Sequence, residues 1–435
     1  MRRSILIITL GWFAAAAADP RAFIVNNLAE TLSRIDLETG EVQNHIVVLG
    51  NTPNQVAYHN GNLYVLNSIS ADMQVIDPSS YQVTFDIPLP VGSNPYSMEF
   101  QGNYAYVSGW ISGRIYRVNL TTHLVDDDVE IGGFPEGILF YDDSLYVAQT
   151  GFNPDDFSYG QGRMAVIDVS NLLLVSEVNV GKNPQSIIAS PDGILHVVCT
   201  GNYVDVSGSI YVLNPFSGSV IDSILIGGQP VSGAVWRDTV FLAAGGWVDE
   251  GYVYSYNAQT HQIIRGPSNP ISVGLGAAAV AIDSLGFVYS CNFGNDTVTK
   301  FNTSGQVLAT YGLGDGPQAI VILDDRTTGA ADPQPQPGTP ILTGCYPKPF
   351  NFSVKINLSG EWHKPLTIGI FDITGRLVQS LNAGTGRGES SVIWNGEDKL
   401  GKICASGFYF VRIISGGSSE GSANRANALK IIYMK

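Results

Sequence analysis

Short apolar runs recur through the first three quarters of the chain, and each stops after a few residues at Asn, Asp or Gly. In one unit, the run Leu63–Asn67 is followed by a variable loop and then by a second run, Val75–Asp77. Runs of this length bounded by turn residues predict short β-strands. Because Asp and Asn side chains bond their own backbone in turns, we assign the Asx residue that ends each second run to a hairpin. Seven units share this feature, at Asp36, Asp77, Asn119, Asp168, Asn214, Asn257 and Asn302.

A Gly-rich turn with proline separates one unit from the next. Six copies keep the proline, at Pro53, Pro95, Pro135, Pro184, Pro230 and Pro317, and the copy at Gly274–Ala277 has lost it. A further apolar run, such as Gln185–Ala189, follows each turn. Each unit therefore holds four short strands in about 40–50 residues, which predicts an all-β fold with a seven-bladed β-propeller over residues 19–325. The strand Ala319–Leu323 is left over, and we predict that it closes the ring beside Phe23–Asn26.

The last part of the chain differs in both pattern and charge. Residues 326–340 are rich in alternating proline, which favours an extended linker. Residues 341–435 contain alternating strands with Gly-rich turns, which predicts a small Ig-like β-sandwich. Residues 19–340 carry 10 basic and 32 acidic residues, whereas residues 341–435 carry 11 basic and 6 acidic residues. The acidic body disfavours nucleic acid and anionic membranes as partners.

The chain begins with the features of an export signal. Arg2 and Arg3 precede an apolar stretch, Ile5–Phe13, and Ala16–Ala18 supplies small residues for cleavage. We therefore predict a cleaved signal peptide over residues 1–18. The apolar stretch is too short to anchor the chain comfortably, so we expect no membrane span in the mature protein. An exported chain permits oxidation of its cysteines.

The repeat resembles the YVTN-type β-propeller repeat family. The resemblance is carried by Leu63–Val65 with Val75–Asp77, and by Gly181–Pro184 with Pro191–Gly193. It covers about residues 22–325. This likeness implies seven blades, and it implies an extracytoplasmic binding or structural role more often than catalysis.

The last block resembles the C-terminal Ig-like sorting domain of type IX secretion cargo, a relative of the flagellar hook-capping Ig-like domain. The sequence departs from that pattern at Lys348 and Phe352. The resemblance implies that the secretion machinery recognises residues 341–435 and that the protein is secreted or held at the cell surface. The matching motifs are Tyr346–Asn351, Ile370–Arg376, Trp394–Asp398, Ser406–Tyr409 and the final run Leu429–Lys435.

Groups that carry catalysis or hold metals are scattered in this sequence. No two of the six His stand at metal-ligand spacing, and neither a nucleophile elbow nor a P-loop is present. We therefore expect no catalytic residue, no metal site and no cofactor. The acidic runs Asp126–Asp128 and Asp142–Asp143 are assigned to turns, where a calcium site stays open as an alternative. In the last domain, Cys345 and Cys404 are candidates for a disulfide.

Three loops after the second strand of a unit are enlarged, at residues 151–163, 201–209 and 245–252. Variable loops on a rigid scaffold are where binding is usually placed. Aromatic faces beside carboxylates suit a glycan, a peptide or a cationic ligand, although plain packing also explains aromatics in loops. The candidate ligand-binding residues in these and equivalent loops are Trp110, Phe152, Tyr203, Trp247, Asp249, Glu250 and Phe293.

These observations predict an exported, non-catalytic propeller that binds an extracellular glycan, peptide or protein and is delivered by its last domain. The alternative is a propeller enzyme, such as a lyase or a quinoprotein dehydrogenase. The lining of the central channel discriminates between the two. Convergent His, Arg and carboxylates there would favour the enzyme, whereas Gly and Ala would favour the binder.

Overall fold

The structure, a computed structural model, describes residues 19–245, 251–324, 326, 341–347, 350–362, 365–372, 376–415 and 428–434. Within these ranges the chain forms β-strands and a single short 3-10 helix, Phe293–Asn295. The predicted signal peptide, residues 1–18, and residues 327–340 of the predicted linker lie outside the described residues.

The strands of the larger unit are short and are joined one to the next by hairpins. The first fifteen are β1 (Arg21–Asn26), β2 (Thr31–Asp36), β3 (Val42–Val48), β4 (Pro53–His59), β5 (Asn62–Asn67), β6 (Asp72–Ile76), β7 (Val83–Pro88), β8 (Pro95–Gln101), β9 (Tyr104–Gly109), β10 (Arg114–Asn119), β11 (Leu124–Glu130), β12 (Pro135–Tyr141), β13 (Ser144–Gln149), β14 (Phe152–Asn153) and β15 (Ser158–Tyr159). The next sixteen are β16 (Arg163–Asp168), β17 (Leu173–Asn179), β18 (Pro184–Ala189), β19 (Leu195–Cys199), β20 (Ser209–Asn214), β21 (Ser219–Ile224), β22 (Ser232–Trp236), β23 (Thr239–Ala243), β24 (Tyr252–Asn257), β25 (Ile263–Arg265), β26 (Ile271–Ser272), β27 (Ala277–Ile282), β28 (Val288–Asn292), β29 (Thr297–Phe301), β30 (Val307–Gly312) and β31 (Pro317–Leu323).

These strands build the seven-bladed propeller that the repeat predicts. Blade 1 has the order β3-β2-β1-β31, and blades 2 and 3 consist of β4 to β7 and β8 to β11. Blade 4 has the order β12-β13-β16-β17, with the small hairpin β14–β15 inserted after β13. Blade 5 runs from β18 to β21, blade 6 from β22 to β25 with β26 beside β24, and blade 7 from β27 to β30. The innermost strands contact one another in a closed cycle of β4, β8, β12, β18, β22, β27 and β31.

Ring closure agrees with the prediction. Strand β31 pairs antiparallel with β1, and Phe23 lies opposite Val321. The first and last strands of the propeller therefore share blade 1, and β1 is paired on both edges, with β2 and with β31.

The core lies between successive blades. Leu66 and Met73 of blade 2 pack against Met98 and Val107 of blade 3, and similar clusters occur at the other blade junctions. The middle strands are buried on both faces because blades stack face to face, which explains their continuous apolar runs. All seven Asx residues accept backbone N–H bonds within their hairpins, as the sequence indicated.

One acidic run is placed differently from the prediction. Asp126–Asp128 lies on the outer strand β11 and not in a turn. Arg117 on β10 pairs with Asp126 at 2.8 Å, and Arg114 pairs with Asp128. Cross-strand ion pairing on a solvated outer strand accounts for these acids without a calcium ion. Asp142–Asp143 does lie at the hairpin between β12 and β13.

The C-terminal unit is a two-sheet sandwich, with β32-β33-β36 packed on β35-β34-β37-β38. Trp394 is fully buried in its core, and its ring lies 4.9 Å from Tyr409. Cys345 and Cys404, the candidates for a disulfide, are not bridged in this structure, and the Cys404 thiol interacts with the hydroxyl of Tyr409. A disulfide between them stays a prediction. The strands are β32 (Ile341–Tyr346), β33 (Val354–Trp362), β34 (Thr367–Asp372), β35 (Leu377–Asn382), β36 (Gly386–Trp394), β37 (Gly407–Ser415) and β38 (Ala428–Tyr433).

Candidate functional site

The centre of the propeller contains a cavity of about 670 Å³. Every blade contributes to it through the residue that directly follows the Gly-Pro turn or its equivalent. In blade order 2 to 7 and then 1, these residues are Asn54, Tyr96, Glu136, Gln185, Val231, Ala278 and Gln318. We call this set the turn ring.

A β-bulge places most of the turn ring. In six of the seven innermost strands the register shifts immediately after the turn residue, in β4, β8, β12, β18, β27 and β31. A bulge leaves its extra residue out of the ladder and re-aims the side chain. The repeat therefore supplies one position per blade that faces the channel and is free to vary.

Hydrogen bonds between blades fix this backbone. The buried hydroxyl of Ser108 donates to the carbonyl oxygen of Glu136 at 2.7 Å and accepts from the N–H of Ser97 at 3.0 Å. Equivalent bonds join Ser68 to the carbonyl of Pro95 and Thr200 to that of Pro230. The backbone of the channel wall is thus held rigidly at the positions where the side chains differ from blade to blade.

Two carboxyl groups lie in the cavity. Glu136 is 5% exposed, and burial raises its pKa to about 8. Glu99, further along β8, is half-buried, and burial raises its pKa to about 7. The indole N–H of Trp110 lies near the carboxyl of Glu136 and favours its charged form. The two groups do not meet in hydrogen-bond geometry, so Trp110 Nε1 and Glu136 Oε2 each lack a hydrogen-bond partner.

Tyrosines surround the same carboxyl. The charge of Glu136 is the first cause that holds the pKa of Tyr96 well above its usual range. Burial, followed by the neighbouring Tyr203 and Glu136, raises the pKa of Tyr159. Gln185 Nε2 donates to the hydroxyl of Tyr203 at 3.2 Å. These phenols stay protonated at neutral pH and offer both donors and acceptors to a ligand.

Aromatic rings continue from the cavity into the loops of blades 3, 4 and 5. The ring of Trp110 lies 5.1 Å from Phe134 and 5.4 Å from Phe152. Phe152 lies 5.4 Å from Tyr159, which lies 5.8 Å from Tyr203. We call these five residues the aromatic arc. Separations of this size are those of favourable aromatic pairs.

The backbone holds the aromatics in position. The N–H of Trp110 donates to the carbonyl of Asn94 at 2.9 Å, and that of Phe293 donates in the same way to Gly276. Phe134 occupies the turn position with φ 52, in the left-handed region where blades 3 and 5 have Asn94 and Asn183. A bulky residue is strained there, so its ring packing offsets an unfavourable backbone conformation.

The structure brings several of the predicted loop residues to one place. Trp110, Tyr203 and Phe293 line the cavity, and Phe152 packs against Trp110. The remaining three predicted residues lie outside the described residues, namely Trp247, Asp249 and Glu250. Ligand binding by these residues stays a prediction.

Sequence reasoning missed Tyr96, Glu99 and Glu136. Alignment of the seven units on their turns would have exposed the first and third, because Tyr and Glu stand there where other blades have Val or Ala. In the described part of the lining, carboxylates are present but no His, Lys or Arg is found. The described residues also contain no group of three side chains able to hold a metal ion.

The C-terminal unit matches the family model described as the secretion system C-terminal sorting domain, over residues 344–422. A domain of this kind marks proteins that are exported and then secreted or attached to the cell surface, and this chain has that destination. Among the described residues, no helix is long and apolar enough to cross a membrane.

Solved structures similar to this chain share the propeller fold at low sequence identity. One is a functionally unknown protein from Desulfotomaculum acetoxidans, with TM-score 0.57, 15% identity, and coverage of 70% of this chain and 99% of that one. Hydrazine synthase from Kuenenia stuttgartiensis gives TM-score 0.53 and 15% identity, covering 63% and 96%. Virginiamycin B lyase from Staphylococcus aureus gives 0.50 and 11%, covering 61% and 87%. No curated protein sequence matches the chain.

Proposed function

We propose that the protein is a non-catalytic binding propeller that takes a terminal group of an extracellular glycan, peptide or protein into its central cavity. The observation that carries this proposal is the concentration of the aromatic arc and two carboxyl groups on one side of that cavity. A cavity of about 670 Å³ lies within the size range of ligand pockets. Its lining combines aromatic rings and small apolar side chains with Asn, Gln, Ser and Glu side chains that offer polar contacts to a ligand.

Delivery is the second part of the proposal. The matched sorting domain supports recognition of residues 341–435 by type IX machinery. The signal peptide at residues 1–18 and kinship with the YVTN repeat family belong to this proposal as well. Deletion of residues 341–435 should trap a folded propeller in the periplasm. Fusion of the same residues to a foreign exported protein should carry it to the surface of a host with this machinery, and retention of a folded fusion would contradict the proposal.

An enzyme is the second candidate, and one observation favours it. Glu99 and Glu136 have pKa values raised to about 7 and 8, which suits a general acid or base near neutral pH. The described lining adds no His, Lys or Arg to assist them. If the site is catalytic, Glu136→Gln should abolish turnover of a bound ligand. A binding site needs no turnover, so an unchanged ligand recovered from the wild-type complex favours the binder.

The binding proposal is tested with the mature chain on glycan and peptide arrays. Trp110→Ala should abolish binding to the ligand found, because the ring contributes stacking area at the mouth of the cavity. Phe352→Ala is the matched control, since Phe352 is 84% exposed on the sandwich. Both variants should melt close to the wild type. Lost stability with unchanged affinity in Trp110→Ala would show that the aromatic arc is only packing.

A further inference from the structure

We propose that the group entering the cavity is cationic, a protonated or quaternary amine held between the carboxylate of Glu136 and the aromatic rings that line the cavity. This inference rests on the proposed binding function and names the chemistry of its ligand. It stands on three observations, which are the isolation of a buried carboxylate, the rings around it and the charge of the whole propeller.

The first observation is the isolation of Glu136. Its side chain is 5% exposed, lines the cavity, and leaves Oε2 without a hydrogen-bond partner. Glu99 adds a second carboxyl to the same cavity. Within the described lining no basic side chain faces either group. A buried carboxylate normally has a counter-charge or several hydrogen-bond donors. For Glu136, the cavity is the space in which a counter-charge could bind.

Another buried carboxylate of this chain shows the contrast. Asp283 is 1% exposed at the hairpin after β27. It accepts from the hydroxyl of Tyr289 at 3.0 Å and from two backbone N–H groups, and it pairs with Arg326 at 3.3 Å. The fold therefore supplies partners to a carboxylate that has only a structural role. Glu136 has only the indole of Trp110 near its carboxyl, keeps Oε2 without a hydrogen-bond partner, and lines a cavity large enough for a ligand.

The second observation is the set of rings in the cavity wall. A cation over the face of Trp or Tyr is attracted by the ring quadrupole, and aromatic cages of this kind select quaternary and protonated amines. Trp110 approaches the carboxyl of Glu136 directly. The rings that line the cavity are Tyr96, Trp110, Tyr159, Tyr203 and Phe293.

The third observation is the charge of the propeller. Residues 19–340 carry 10 basic and 32 acidic residues. A negative potential over a cleft with low-dielectric walls raises the local concentration of cations and repels anions. The same field disfavours an anionic glycan or an acidic peptide as the entering group.

A cationic ligand makes binding depend on pH. Burial holds Glu136 protonated below about pH 8, and the titratable groups that face it are Glu99 and Tyr96 on β8, Tyr159 on β15 and Tyr203. The neighbouring strand β18 contributes uncharged Gln185. A bound cation stabilises the carboxylate and so displaces its proton. Affinity for a quaternary amine, which has no proton of its own to lose, should therefore rise between pH 6 and pH 8.5 and be accompanied by proton release from Glu136.

The test uses isothermal titration calorimetry of the mature chain with four probes. Tetramethylammonium represents a quaternary amine, Nα-acetyl-lysine methylamide with its free ε-ammonium represents a lysine side chain, and glucosamine represents an amino sugar. The neutral control is 3,3-dimethylbutanol, whose tert-butyl group resembles a quaternary ammonium in shape. We expect at least one amine to bind about tenfold or more tightly than the neutral control, and the amine that binds best identifies the source. Glu136→Gln should weaken that binding about tenfold or more, and Asp86→Asn, on an exposed outer strand, should not.

The outcomes separate this inference from the proposed function. If no amine binds with a Kd below about 10 mM, the inference is overturned. Equal binding of a neutral array ligand by wild type and Glu136→Gln would also overturn it, while leaving the binding function intact. If Trp110→Ala does not weaken the binding of any array ligand, the proposed function itself is overturned.

Discussion

The channel has two walls that differ in chemistry although they share one backbone. On the wall formed by blades 3, 4 and 5, the turn ring presents Tyr96, Glu136 and Gln185. On the wall formed by blades 6 and 7, it presents Val231 and Ala278, and small residues continue along both strands. The repeat therefore fixes the direction of each turn-ring side chain, whereas the residue type at that one position per blade decides what the channel can bind.

The two walls also differ in their effect on the stability of the folded chain. The first contains a buried carboxyl, Glu136, whose Oε2 has no hydrogen-bond partner, and a phenylalanine in left-handed backbone at Phe134. Both features oppose stability, and local violations of this kind cluster at functional sites. The second wall has small apolar side chains that satisfy packing without such conflicts.

The largest expected effect comes from removing β31, the innermost strand of blade 1, which closes the ring that contains both walls. A chain ending at residue 312 lacks β31, so β1 keeps β2 but loses its second partner, and the ring opens. We expect a loss of more than about 4 kcal/mol in the free energy of unfolding, because apolar faces of blades 1 and 2 become exposed. Urea denaturation of residues 19–312 against residues 19–326 measures it. A truncated chain that unfolds like the longer one would show that the ring does not need closure.

The next effect concerns Glu136 and its pKa. Burial raises the pKa of Glu136 from 4.5 to about 8. Between these two pH values the folded chain keeps a proton that the unfolded chain has lost. The free energy of unfolding of the wild type therefore falls as the pH rises from 4.5 to about 8. Glu136→Gln removes the effect. The variant should be more stable than the wild type at pH 8, by on the order of 3 kcal/mol, with little difference near pH 4.

Thermal melts at pH 4, 6 and 8 measure this change. Asp86→Asn serves as the exposed control and should shift the melting temperature equally little at each pH. A Glu136→Gln variant that is less stable than the wild type at pH 8 would mean that the carboxylate has a partner in the folded protein.

Gly137 tests how closely blades 4 and 5 approach beside the carboxyl. A Cβ at this position would collide with the carbonyl oxygen of Gln185, so Gly137→Ala must move one blade and should cost about 1–3 kcal/mol. Gly312→Ala is the matched control, since nothing lies within 4 Å of a Cβ there. Equal melting temperatures for the two variants would indicate a looser wall than the structure describes.

The smallest effect compares single rings from the two walls. Phe134→Asn replaces a strained residue by the type found at the same turn in blades 3 and 5, so the backbone gain should offset most of the lost ring packing. We expect a change in unfolding free energy within about 1 kcal/mol and weaker ligand binding, because Trp110 loses its neighbour. Phe293→Ala, on the opposite wall, should reduce affinity less. The reverse order would place the ligand against blade 7.

Much of the fold was predictable because each repeat carries its own local chemistry. The Asx residues and the turn prolines act within a few residues of themselves, so a single unit such as Leu63–Asp77 identified its hairpins without long-range information. The leftover strand Ala319–Leu323 then required closure of the ring. The acidic run Asp126–Asp128 was misplaced because its arginine partners lie on the neighbouring strand, which the local pattern does not show.

The site was only partly predictable. Trp110 and Tyr203 stand in loops, where aromatics are conspicuous. Tyr96 and Glu136 stand at the start of short strands, and only the bulge turns them toward the channel. A bulge arises from pairing with the next strand, so its consequence for Glu136 could not be read from the residues around it.

Strand β31 also determines on which face of the propeller the chain enters and leaves. Its residue Gln318 lies at the cavity and its last residue, Leu323, lies at the other end of the strand, opposite Arg21 of β1. The chain therefore enters and leaves the propeller on the face away from the cavity. A force between a ligand in the cavity and the chain beyond Leu323 would therefore act along the strands. It would load the β1–β31 ladder in shear and would not separate its residue pairs one at a time.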